Sequence, residues 1–137
     1  MPLTSSMEDY LEAVLIVAKK QIEVRSVDIA RQLNVSKPSV WRAMTVLKDG
    51  GFLTMDDHSF LLLTDLGQET AKKIYERHCF FTEQLIAAGI DPKTAEADAC
   101  RIEHNISDES FSRLKETATQ KPVSYTHLRA HETCADL

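Results

Sequence analysis

Cys100, Glu103 and His104 fall in the run ACRIEH at helical offsets i, i+3 and i+4, so one turn of helix would present a thiol, a carboxylate and an imidazole together. Asp9 and Glu12, in SMEDYLEA, form a carboxylate pair at i and i+3, and His78 stands in YERHCFF. Taken singly, each has a plainer reading. A helical cysteine is usually a buried small hydrophobe, and two acids three apart are usually a solvated face. Together, six donors on three expected helices point to a metal held between helices.

A second chemistry lies in SVDIARQLNVSKPSVWRAMTVLKDGGFL. Ser26 can cap a short helix containing Ile29, Ala30 and Leu33, Asn34-Val35 makes a tight turn, and Ser36 caps a second helix with Pro38 in its first turn. Val40, Met44 and Leu47 face inward and Gly50-Gly51 ends the helix, which completes a helix-turn-helix. Ser36 and Ser39 with the helix-start N–H groups suit phosphate, and Lys37 and Arg42 suit phosphates or base edges. Trp41, early in this helix, serves either packing or contact with a base or sugar.

Charge agrees with this placement. The chain carries a net −5, yet Lys19 to Asp49 holds seven basic residues against three acidic ones, leaving −9 for the remainder. A basic segment in an acidic protein looks like a phosphate-facing element attached to something that must hold cations.

Around these motifs the apolar spacing sets the elements. Met7, Leu11, Val14, Leu15 and Ala18 predict a first helix over 5–20, capped by Ser5 or Ser6. FLTMDDHSFLLLT predicts two short strands around Asp56-Asp57-His58, a wing. Thr64 caps a long helix ending at Gly89, with Gly67 tolerated in its first turn. Asp91-Pro92 opens the helix that bears Cys100, Glu103 and His104, and Ser107-Asp108-Glu109 opens another to about Gln120. The expected fold is mainly α, a winged helix-turn-helix DNA-binding domain over 1–64 followed by a helical metal-binding and dimerisation domain over 65–120.

The length of 137 residues suits one domain or two small units sharing a core. No apolar run nears the roughly 18 residues of a membrane span, and no signal peptide is apparent, so a soluble cytoplasmic protein is expected. Residues 121–137 read as a non-native or disordered tail: PVSYTHLRAHETCADL lacks an apolar period and resembles read-through of a sequencing adapter. His127, His131 and Cys134 are accordingly left out of the ligand set.

The order SMEDYLEA, helix-turn-helix, wing, RH on a long helix and ACRIEHNISDES resembles the metal-dependent repressors of the diphtheria toxin repressor and manganese transport regulator family, over about residues 5 to 118. The resemblance implies a homodimer that binds a palindromic operator when divalent metal binds at the junction of the two domains, in the short form without an SH3-like domain. It implies Asp9, Glu12, His78, Glu103 and His104 as ligands of the manganese type. Cys100 departs from that type, which has glutamate there, and matches the iron type, which lacks the Asp9 equivalent. Glu96 stands where the iron type's ancillary site has a histidine.

Soft thiolate favours Fe²⁺, Co²⁺ or Zn²⁺ while the carboxylates suit Mn²⁺, so Mn²⁺ and Fe²⁺ remain level as physiological metals, with Zn²⁺ or Co²⁺ able to substitute in vitro. Asp9, Glu12, Glu103 and a Cys100 thiolate would total −4, which two divalent cations per subunit would neutralise. Phe80, Phe81, Leu85 and Ile86 are expected to supply part of the dimer core. No membrane and no small-molecule substrate are implied. A metal-independent winged-helix regulator, a metal-buffering protein and a small metalloenzyme stay open, though no separate general base or oxyanion donor is recognisable for the last.

Overall fold

A computed structural model describes residues 3–119. The expected tail, with His127, His131 and Cys134, lies outside the described residues. Backbone contacts divide the chain into two units, one up to Lys73 and one from Ile74 onward.

In the first unit, α1 (Ser5–Lys20) is capped by Thr4, whose hydroxyl accepts the Met7 N–H at 3.2 Å. The cap is thus one residue earlier than Ser5, because Thr4 is the first residue with extended backbone beside the helix start. Tyr10, Leu11, Ala13, Val14, Leu15 and Val17 are buried, whereas Ala18, expected on the apolar stripe, is exposed. Burial therefore covers a wider arc of α1 than its spacing predicts.

α2 (Ser26–Leu33) begins with Arg25 rather than Ser26 in the cap position, and the Asp28 carboxylate accepts the Arg25 N–H at 2.9 Å. Asn34, at φ 55°, takes the left-handed turn that short polar side chains tolerate. α3 (Lys37–Asp49) starts as the sequence predicts: Ser36 Oγ accepts the Ser39 N–H at 3.3 Å, and Pro38 sits in the first turn. Leu11, Ile29, Val40, Met44 and Leu47 are at most 1% exposed, and α1, α2 and α3 pack on one another through them.

β1 (Leu53–Met55) and β2 (Leu61–Leu63) pair antiparallel with Leu53 opposite Leu63, forming the expected wing. Asp56 closes its turn by accepting N–H groups from His58 and Phe60 at 2.9 and 3.0 Å. The base of the wing is held where the Leu61 N–H donates to the Val24 carbonyl at 2.7 Å and the Arg25 guanidinium lies 4.8 Å from the Phe60 ring centre.

α4 (Asp65–Ala87) is capped by Thr64, whose hydroxyl accepts the Gly67 N–H at 3.1 Å and donates to the Gly51 carbonyl at 2.7 Å. Gly67 is required rather than merely tolerated. A Cβ there would lie 1.8 Å from the Phe52 carbonyl oxygen, inside any allowed contact. The C-terminal end of α4 closes through left-handed Gly89, with Ile90 donating to Leu85 and Gly89 to Ile86.

In the second unit, Asp91 caps α5 (Pro92–Ile102) and Ser107 Oγ accepts the Ser110 N–H at the start of α6 (Asp108–Thr119). The core gathers Phe81, Ala99 and Phe111, with Phe80, Ile102 and Ile106 packed against it. Phe80 and Phe111 meet edge to face at 5.3 Å. Phe81 and Ile86, expected at a dimer interface, are buried within the chain itself, while Phe80 and Leu85 are half-buried. Among the described residues no helix is long and apolar enough to cross a membrane.

Candidate metal centre and nucleic-acid interface

The helix-turn-helix presents one face of α3 to solvent. Val40, Ala43, Met44 and Leu47 are buried, which by helical periodicity leaves Lys37, Trp41, Arg42, Thr45 and Lys48 exposed. Trp41 is 57% exposed. Packing does not account for that indole, since a tryptophan placed for the core would not leave half its surface in water. Ser36 and Ser39 hydroxyls lie 2.8 Å apart at the helix start, with Ser36 exposed and Ser39 half-buried. Pro38, also exposed, has no N–H to lose there. Thr45 and Lys48 extend the same face by one and two turns from Trp41, and their exposure follows from the spacing that buries Met44 and Leu47.

The donor residues are positioned differently, by burial. Glu103 is the centre of the second unit's set: its side chain is 0% exposed, with Oε2 3.1 Å from His78 Nδ1 and Oε1 3.4 Å from His104 Nε2. The His78 ring lies parallel to that of Tyr75, centres 6.5 Å apart, and the His104 side chain is only 5% exposed. Cys100 is half-buried, and its sulphur, a Glu103 oxygen and a His104 nitrogen all lie within 4.8 Å of one another.

α5 ends at Ile102, so Glu103 is its C-terminal cap and His104 belongs to the following turn, where Asn105 N–H donates to the Ile102 carbonyl at 3.0 Å. The expected single helical face is thus a helix end. Glu103 keeps helical torsions (φ −57°, ψ −29°), which is why the i, i+3 offset from Cys100 still brings the two side chains together.

This donor set fits a divalent transition metal. Donors held about 2.0–2.3 Å from one ion are at most about 4.6 Å apart, and the Cys100, Glu103 and His104 donor atoms lie within 4.8 Å of one another. A carboxylate taken fully out of water is costly unless a cation or shared protons compensate it. Imidazole, carboxylate and thiol together cover borderline, hard and soft preferences.

In the first unit, Asp9 and Glu12 occupy adjacent turns of one α1 face, Asp9 half-buried and Glu12 only 8% exposed. Glu12 is therefore no solvated surface acid. A buried glutamate on a helix whose neighbours are Leu11 and Ala13 cannot be foreseen from spacing alone.

Sequence reasoning overlooked Arg77. Its side chain is 10% exposed, it donates to the carbonyls of Glu103 and Ile106 at 3.4 and 2.6 Å, and it pairs with the Asp108 carboxylate. The available signal was a charge on the apolar stripe of α4, three residues after Ile74 and four before Phe81.

Comparison with known proteins agrees with both halves. Residues 2–59 match the family described as iron dependent repressor, N-terminal DNA binding domain, and residues 64–122 that described as iron dependent repressor, metal binding and dimerisation domain. An uncharacterised helix-turn-helix-type transcriptional regulator of Methanocaldococcus jannaschii is 34% identical over 118 residues, 82% of this chain and 92% of the relative. The helix-turn-helix-type transcriptional regulator MntR of Listeria monocytogenes is 31% identical over 133 residues, 95% of this chain and 94% of the relative. The solved structure of the manganese regulator SloR shares the fold, with a TM-score of 0.73 at 23% identity over 84% of this chain. This chain spans 54% of the SloR chain.

Proposed function

The chain belongs to the diphtheria toxin repressor and manganese transport regulator family of metal-dependent transcriptional repressors, and from that membership we propose that it represses Mn²⁺ or Fe²⁺ homeostasis genes in the cytoplasm. It acts as a homodimer on a palindromic operator and catalyses no reaction. The DNA-binding domain comprises residues 1–64 and the metal-binding and dimerisation domain residues 65–120.

The observation that carries the metal side is the buried Glu103 carboxylate, approached by two imidazoles with a thiol beside it. Asp9 and Glu12 join His78, Cys100, Glu103 and His104 as ligands of two ions per subunit; for these two acids the support is the family order of motifs and the burial of Glu12. When bound, the divalent cations supply the positive charge that neutralises Asp9, Glu12, Glu103 and the Cys100 thiolate. Without that charge the four anionic groups repel one another and disfavour the arrangement of α1 and the donor helices that DNA binding needs. Only a preference of the ligand for the DNA-competent arrangement shifts the equilibrium.

On the DNA side, Ser36, Ser39, Pro38 and the helix-start N–H groups seat a phosphate, Lys37 neutralises another, and Arg42 reaches a base edge. Trp41 adds contact with a base or sugar. Two such helices about one duplex turn apart, roughly 34 Å, meet successive major grooves.

Fluorescence anisotropy on a DNA fragment from upstream of the protein's own gene, with Mn²⁺, Fe²⁺ or chelator, tests this. Tight binding with metal and loss in chelator is the expected result. Equal affinity in chelator would overturn the metal switch.

A further inference from the structure

Arg77 and His78 are consecutive on α4, and both reach the same residue. His78 Nδ1 meets the Glu103 carboxylate at 3.1 Å, while Arg77 Nη1 donates to the Glu103 main-chain carbonyl at 3.4 Å. The same guanidinium donates to the Ile106 carbonyl at 2.6 Å and pairs with Asp108, the first residue of α6. It also lies 5.4 Å from the Phe111 ring centre. One planar cation thus closes the carbonyls left open at the C-terminal end of α5 and ties them to the start of α6.

Resting on the proposed metal function, we propose that Arg77 is a positioning residue for the metal ligands of the second unit. The segment from Glu103 to Ser107, between α5 and α6, contains no regular hydrogen-bonded helix, so its path depends on what grips its main chain. Arg77 grips its main chain at the carbonyls of residues 103 and 106 and ties it to the Asp108 carboxylate at the start of α6, and the adjacent His78 is carried by the same turn of α4. The spacing of His78, Glu103 and His104 is therefore fixed by one side chain that touches no metal.

Stability alone is a poor explanation for this residue. Among the described residues Arg77 Nε has no hydrogen-bond partner although it is buried, and the ion pair with Asp108, whose carboxylate is 67% exposed, is screened by solvent and contributes little to stability. An apolar side chain could fill the space against Phe111 but could not hold two carbonyls. Groups that orient metal ligands typically change metal affinity by about 10–100-fold when removed.

The test compares the full-length protein with Arg77→Met, Arg77→Lys and Asp108→Asn. Competition against a chelator gives Mn²⁺ affinity, the Co²⁺ spectrum reports the thiolate charge-transfer band, and amide hydrogen exchange is followed in the metal-free proteins. Arg77→Met should weaken Mn²⁺ about 10–100-fold, alter the Co²⁺ band at saturation and speed exchange across residues 103–108 while that of α2 and α3 stays unchanged. Arg77→Lys should restore part of the affinity, and Asp108→Asn should lower it by less.

Mn²⁺ affinity within twofold of the parent for Arg77→Met, with an unchanged Co²⁺ band, would overturn the positioning role while leaving the metal function intact. If Arg77→Met fails to fold, Asp108→Asn decides by the same criteria. Absence of Mn²⁺ binding by the parent protein would overturn the metal function, and the positioning role with it.

Discussion

The exposed start of α3 and the buried end of α5 are both helix termini bearing chemistry, and they solve opposite electrostatic problems. At α3, Lys37 and Arg42 stand in water and cost little to leave unpaired, so they can wait for a polyanion. At α5, Glu103 has been removed from water beside His78 and His104, where its charge needs compensation in place. Exposed charges contribute small increments that salt screens. Buried donors contribute large ones that depend on geometry. DNA binding should therefore degrade gradually as α3 is altered, whereas metal binding should fail abruptly at Glu103.

The largest expected effect tests that abruptness. Glu103→Gln keeps the shape of the side chain but removes its charge and one acceptor, so Mn²⁺ affinity should fall at least about 100-fold, equivalent to about 2.7 kcal/mol. Operator binding should cease to respond to metal, with residual affinity near that of the parent protein in chelator. Chelator competition and anisotropy check both. A variant with parental metal affinity would show that the buried carboxylate is structural, and the contrast between the two helix ends would collapse.

Arg42→Ala comes next and sharpens the other side. An arginine that reads a base edge is worth on the order of 1–3 kcal/mol on operator DNA and little on random DNA. Anisotropy on both sequences separates the cases. Equal losses on the two would make Arg42 a phosphate contact and move specificity to Trp41, Ser39 or DNA shape.

How much of each terminus was legible follows from the range of the forces involved. The α3 start was readable because capping is local: Ser36, Pro38 and the inward spacing of Val40, Met44 and Leu47 all act within a few residues. Thr64 and the wing were legible for the same reason, through short-range hydrogen bonds and strand alternation. Offsets of i, i+3 and i+4 also brought out Cys100, Glu103 and His104, but not that α5 stops at Ile102. The burial of Glu12, the need for Gly67 beneath the Phe52 carbonyl and the grip of Arg77 on residues 26 to 31 positions further along are tertiary facts. No local pattern encodes such contacts.

Cys100→Glu should shift metal preference by about tenfold toward Mn²⁺ over Zn²⁺, because a hard oxygen replaces a soft sulphur at a position within 4.8 Å of Glu103 and His104 donors. Total affinity need not fall, so the effect on operator binding in Mn²⁺ should be smaller than for Arg42→Ala. Parallel titrations with the two metals measure it. An unchanged preference would remove the cysteine from the ligand set and leave the remaining donors to set selectivity.

Lys37→Ala should have the smallest effect and is the most direct check on the gradual character of the α3 surface. Lys37 is exposed at the first residue of the helix, beside the Ser36 cap, where a single ammonium can neutralise one phosphate. Each phosphate neutralised releases condensed counterions and contributes about 0.9 to the slope of log affinity against log salt. The slope should thus decrease by about one on operator and random DNA alike, with the ratio of the two affinities unchanged. Because the side chain leaves no buried group unpaired when removed, neither thermal midpoint nor metal affinity should move. A loss confined to operator DNA would make Lys37 a base reader, and a fall in metal affinity would mean that its removal disturbs the donor set as well as a phosphate contact.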